Sequence, residues 1–185
     1  LAEQGFDTFI PDLRGKGRSW PPVSAWVNYR VGDAVNQDIP AILDTIQALK
    51  GAAPAFWITH AWGGVLASSV LARFPGYQAS LNGLIHFGSH RVAIQRSLSR
   101  LIWLDGMWGW LASLVARCKG YMPGRGLRIG AENEFLGIQQ DSSNWLQGGA
   151  WIDPQDQFDY GEALSKGLNF PPTLYFAPSA DLARC

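Results

Sequence analysis

Residues 57–64 read Trp-Ile-Thr-His-Ala-Trp-Gly-Gly. In a Gly-x-Ser-x-Gly turn, a serine stands on a sharp bend between a buried strand and a helix, where its hydroxyl can attack a carbonyl carbon. Ala61 holds that place here, and no Ser, Cys or Asp within two residues of it can take over. A methyl group cannot attack. The Trp62 N–H, which follows the nucleophile position, would still face an oxyanion if one formed there.

Three histidines are available as bases or ligands. His60 flanks the turn and is expected to pack beside it. His86 falls inside an apolar run and reads as a core residue. His90 follows that run at the end where α/β sites open, so it is a candidate lining residue. Gly88 argues against a helix bringing His86 and His90 together, and no metal site or cofactor is implied. Gly15-Lys16-Gly17 looks like a phosphate loop only superficially, because the Gly-Lys-Ser/Thr ending is missing.

The elements that must position these residues are legible from periodicity. Residues 6–10 read as a strand, followed by a polar loop over 11–19. Apolar positions Val35, Ile39, Ile42, Leu43, Ile46 and Leu49 predict a helix over 34–50, with Asp38 as N-cap and Pro40 in its first turn. Gly51 ends it. Residues 55–59 predict a strand, 63–74 a helix stopped by Pro75-Gly76, 83–87 a strand and 173–176 another. Short apolar strands alternating with helices predict a parallel sheet covered on both faces.

Between residues 93 and 168 the alternation stops. Five of the nine tryptophans, Trp103, Trp108, Trp110, Trp145 and Trp151, fall there. Trp103, Leu104, Trp108, Leu111, Leu114 and Val115 predict the apolar face of an amphipathic helix broken near Gly106 or Gly109. Aromatic packing alone could stabilise such a region as a small subdomain.

Fifteen basic and fifteen acidic residues cancel in the 185-residue chain, which argues against nucleic acid or an anionic membrane as a general partner. The two cysteines form neither a disulfide framework nor a zinc pattern, and a reducing, cytoplasmic setting is the default. The longest apolar stretch, residues 101–116, is too short and too interrupted for a membrane span.

Three motifs together carry a family likeness. Pro11-Asp12-Leu13-Arg14-Gly15-Lys16-Gly17-Arg18-Ser19 resembles the D-x-R-G-x-G-x-S loop of α/β-hydrolases, especially their lysophospholipase and monoacylglycerol-lipase-like branch. Thr59-His60-Ala61-Trp62-Gly63-Gly64 is similar to the family's G-H-S-x-G-G, with Thr59 in place of glycine. Residues 172–181 resemble the strand and loop that deliver the triad acid, which would make Asp181 that acid, although Pro178 replaces the usual glycine.

The resemblance implies an α/β-hydrolase-like parallel sheet with flanking helices and an inserted helical lid. Residues 1–92 would be core, 93–168 lid, and 169–185 core resumed. Asp12, Arg14 and Ser19 would fasten their loop. The resemblance also implies a chain truncated at both ends, an incomplete fold without the His-Gly oxyanion loop and the triad histidine. A strand from outside would then lie between residues 6–10 and 55–59.

In function it implies a parent that hydrolyses small apolar or acyl-glycerol-like carboxylic esters, inactive in this chain because Ala61 replaces the nucleophile and the histidine is absent. His90, Trp103 and Trp108 would line the cleft, and the lid could meet a membrane surface. The alternative is a non-catalytic pseudo-hydrolase that keeps the pocket for an apolar ligand or a partner. A third reading is an introduced substitution in an active enzyme.

Overall fold

The computed structural model describes residues 1–51, 53–92 and 101–177, with backbone alone for 103–105. Its centre is a three-stranded parallel sheet in the order β1 (Ala55–His60), β2 (Leu81–Phe87), β5 (Thr173–Phe176). All three strands fall where the apolar runs predict them.

The crossover from β1 to β2 is α3 (Trp62–Arg73), followed by a 3-10 turn over Pro75–Ser80. α3 is buried along most of its length, at residues 64–67 and 69–72. From β2 the chain leaves the sheet for a long excursion. It contains a π-helix (Leu101–Leu111), α4 (Ala112–Lys119), a two-stranded ribbon β3 (Tyr121–Met122) and β4 (Glu134–Phe135), α5 (Leu136–Leu146) and α6 (Tyr160–Ser165). Asp159 caps α6 by accepting the Glu162 N–H at 2.8 Å.

The largest core cluster joins residues from both halves of the chain. Tyr29, Val31, Val35, Val65 and Val70 are buried with Phe135, Ile138, Trp145 and Tyr160. Trp145 meets Trp62, Trp151 and Tyr160 at centroid distances of 5.9, 6.4 and 5.8 Å. Edge and tilted arrangements of this kind contribute about 0.5–1.5 kcal/mol per pair beyond their burial. The tryptophan-rich excursion therefore shares its core with the helix that follows β1.

Four expectations need correction. Residues 6–10 form no strand, because no strand among the described residues lies beside them or beside the free edge of β1. Phe6, Phe9 and Ile10 are accordingly exposed.

The helix begins earlier than predicted, as α1 (Val31–Asp33), a π-turn (Ala34–Asp38) and α2 (Ile39–Lys50). Asp33 accepts the Arg30 N–H at 2.8 Å at the true start. Asp38 is helical and is not a cap. The wide π-turn, in which the Ile39 N–H donates to Ala34 O, brings the chain to Pro40 within a continuing helix. Gly51, at φ 63°, ends it as expected.

Among the described residues the sheet is covered on one face only. Trp57, Leu84 and His86 face the α3 side, whereas Phe56, Ile58, Phe87, Leu174 and Phe176 on the other face are 41–52 % exposed. Among the described residues nothing packs over them.

Finally, Gly106 and Gly109 break nothing, because the stretch runs on as a π-helix into α4. Ala112 and Ala116 form its buried face, and Leu111 and Leu114 are exposed. Small residues win the packed side because they let the helix approach Met122 closely.

Candidate functional site

β1 ends at His60 and α3 begins at Trp62, so the whole reversal from strand to helix falls on Ala61. Its backbone stands at φ 48°, ψ −121°, a region L-residues rarely occupy. Such a conformation costs about 1–3 kcal/mol and persists only where the surroundings impose it. Here the Ala61 N–H donates to Phe87 O at 2.9 Å, extending the β1–β2 ladder by one bond, while Ala61 O accepts the Gly64 N–H at 3.2 Å. The bend is thus pinned by the sheet on one side and the helix on the other.

Gly64 is required by close approach. A Cβ there would sit 2.4 Å from Ser89 Oγ and 2.9 Å from His86 Nδ1. Thr59, where the family motif has glycine, is accommodated by a 2.5 Å hydrogen bond between its Oγ1 and His86 Nδ1.

His86 lies in the core as predicted, only 1 % exposed, with its ring 4.8 Å from that of Tyr175. Burial pushes its pKa below the ordinary histidine value, so the ring is neutral near pH 7. His60 is exposed at the last position of β1.

His90 lines a cavity of about 170 Å³ with Gly64, Ser68, His86, Ser89 and Trp151. Trp108 does not reach that cavity. It packs against Ala112, Ala116 and Met122, and its carbonyl accepts from Gln139 Nε2 at 3.2 Å. The Trp103 side chain and Asp181 lie outside the described residues. No group of three or more His, Cys, Asp or Glu able to hold a metal occurs among the described residues. No helix among them is long and apolar enough to cross a membrane.

The glycine-punctuated loop is fastened in ways its composition only hints at. Asp12 Oδ2 accepts the Arg18 N–H at 3.1 Å and closes the loop on itself. Arg14 Nε donates to Asp38 Oδ1 at 2.7 Å, Asp38 also accepts from Tyr29 Oη at 2.7 Å, and the Arg14 pKa is raised by these contacts. Lys16 pairs with Glu134 at 2.8 Å, anchoring the loop to β4. The loop ties the π-turn ahead of α2 to the excursion.

Sequence reasoning missed Ser89, Arg91 and Trp151 around the cavity. Arg91 Nη1 donates to Gly149 O at 2.9 Å, and its guanidinium lies 5.5 Å from the Trp151 ring centroid. The signal available was only that Ser89-His90-Arg91 follows the end of a strand.

Residues 1–127 match the family Hydrolase_4, described as serine aminopeptidase, S33. The chain belongs to this α/β-hydrolase family. It is also similar to a carboxymethylenebutenolidase homolog of Mus musculus, 25% identical over 88 residues, which is 44% of this chain and 36% of that protein. The chain thus spans about a third of the length of the curated relative it matches.

Proposed function

We propose that Ala61 occupies the nucleophile position of a carboxylic-ester hydrolase scaffold, and that the chain as written binds the acyl part of such a substrate without turning it over. The observation that carries this reading is the backbone of Ala61. A strained φ of 48° at a strand–helix junction is what an exposed nucleophile needs, and an alanine gains nothing from it. With serine at 61, Oγ would attack the carbonyl carbon and the Trp62 N–H would donate a hydrogen bond to the developing oxyanion. Asp181 would orient a histidine, and in this chain no histidine follows His90.

Esters are favoured over peptides as the substrate class. The excursion supplies aromatic walls, and the mouse relative's name denotes an enzyme acting on a butenolide, a cyclic ester. The family description names an aminopeptidase, so amides are the competing class. The lid role of residues 93–168, a membrane-surface contact through it, and a cytoplasmic setting belong to the same proposal. The non-catalytic alternative is supported by Ala61 itself.

The test uses two substitutions. Ala61→Ser is assayed on short-chain p-nitrophenyl esters and aminoacyl anilides, with added imidazole as the external base. Ala61→Cys is alkylated with iodoacetamide, Cys118 serving as an ordinary exposed thiol for comparison. The expected result is imidazole-dependent ester cleavage by Ala61→Ser, none by the parent, and faster alkylation at position 61 than at Cys118. A folded Ala61→Ser protein as inert as the parent, with a position-61 thiol no more reactive than Cys118, overturns the reading.

A further inference from the structure

A second cavity, of about 330 Å³, lies wholly within the excursion, between the Leu101–Leu111 π-helix with α4 on one side and α5 on the other. It shares no lining residue with the cavity beside His86. Its walls follow helical spacing. Trp110, Leu114 and Arg117 stand at i, i+4 and i+7 on the first wall, and Gln140, Asn144 and Gln147 repeat that spacing on the second.

Facing helices ordinarily fill the space between them with apolar side chains. Here a buried polar clasp joins them instead. Gln139, wholly buried on α5, donates from Nε2 to Trp108 O at 3.2 Å, Ser113 Oγ at 2.9 Å and Ser143 Oγ at 3.1 Å. The clasp fixes the separation of the two walls, so the groove exists before anything enters it.

The heads of the lining side chains decide what the groove fits. Trp110 is 70 % exposed, which leaves most of a large aromatic side chain open to a ligand. Arg117, Asn144 and Gln147 are exposed as well, and Gln140 is half-buried. Each carboxamide offers one acceptor oxygen and two donor protons. Arg117 is the single charge, and no carboxylate lines the groove.

A metal cation would need carboxylates, and a polyanion would need several cations. The set suits a neutral molecule whose polar groups both donate and accept and whose flat side is C–H. A sugar ring is such a molecule, since every hydroxyl does both and the ring's C–H face can lie against an indole. The volume is at the small end of the roughly 300–1,000 Å³ range of ligand pockets, space for about one or two rings.

We propose that this groove binds a neutral sugar, one ring stacked on Trp110 and its hydroxyls shared among Gln140, Asn144, Gln147 and Arg117. The site is separate from the Ala61 turn, and the proposal stands whatever the chemistry at position 61.

The experiment is a titration of the 185-residue chain with glucose, galactose, mannose, maltose and lactose, and with adenosine, N-acetylglycine amide and sodium phosphate. Binding is read by saturation-transfer NMR of the ligand. The expected result is saturable binding of at least one sugar with a Kd of the order of millimolar, transfer strongest to ring C–H protons, and none to phosphate. Trp110→Ala should weaken that sugar about tenfold or more, Trp110→Phe should keep most of the affinity, and Gln147→Ala should cost about fivefold, one neutral hydrogen bond. Trp26→Ala removes an indole that is 94 % exposed outside the groove and should change nothing.

Trp110 and Gln147 are both exposed, so these variants should melt with the parent and the affinities compare folded proteins. No saturable sugar, or sugar binding indifferent to Trp110→Ala, overturns the inference. Equal loss from Trp26→Ala marks indiscriminate stacking on exposed indoles and overturns it too. Tighter binding of adenosine than of every sugar assigns the groove to a nucleobase, and tighter binding of N-acetylglycine amide assigns it to a peptide. Either result displaces the sugar.

Discussion

The two faces of the three-stranded sheet are built to different standards. On one side α3 lies buried under an aromatic cluster in which Trp145 and Tyr160 are almost wholly inaccessible. On the other, five large apolar side chains from all three strands face outward, and Phe87 and Phe176 stack on each other at 4.7 Å. The sheet's order therefore comes from one face. That face is also where the strained Ala61 bend is held, because a helix buried along most of its length cannot shift to relax its own first turn.

The comparison breaks first at Trp145. Trp145→Ala should cost about 3–5 kcal/mol, since it opens a cavity between α3 and the excursion, and denaturant melts should show it. A loss below about 1 kcal/mol would mean the shared core does not hold the two halves together.

Asp141 comes next. It is buried on α5 and pairs with Arg30, whose Nε lies 3.1 Å from Asp141 Oδ2, and it also accepts the Val31 N–H at 3.2 Å. Asp141→Ala should cost about 2–3 kcal/mol, discounted from a fully buried pair because Arg30 is partly exposed.

Ala61→Gly should act in the opposite direction, stabilising the chain by about 1 kcal/mol as the positive φ becomes unstrained. An unchanged midpoint would mean the bend is not strained.

His86 gives a pH signature. Its folded pKa lies below the unfolded value of 6.5, so the unfolded chain binds more protons in acid. Stability should be full above about pH 6.5 and fall as pH drops below it, and His86→Phe should flatten that fall.

The smallest effect should come from the open face. Ile58→Thr, on its exposed side, should stay within about 0.5 kcal/mol.

How far the sequence disclosed this molecule follows the same division. The three strands and α3 were legible because each is a short apolar run ended by Gly, Pro or a polar loop, signals that depend only on neighbours along the chain. The Ala61 turn was legible because Gly63-Gly64 announces a tight junction. Most of the failures turn on partners far away. Residues 6–10 have strand composition, yet a strand exists only beside another strand. Cover on the second face was expected from the apolar character of β1 and β2, which cannot say whether a helix is there to use it. Ser89, Arg91 and Trp151 come together from segments as much as 60 or more residues apart, and no local pattern links them. Asp38 was read as a cap because of Pro40, and the π-turn solved the same problem without one.

That π-turn also sets a tolerance on chain length. It packs more residues into each turn than an α-helix does, so it stores slack at residues 34–38. Deleting one residue there need not carry the loss forward, since the segment can tighten to ordinary α winding and keep α2 in phase. The same deletion within α2, ahead of Leu43, would rotate every later side chain by about 100° and turn Leu43 away from the core. Two deletions a few residues apart would thus have unequal fates, with the proline-bearing helix forgiving only upstream of its proline.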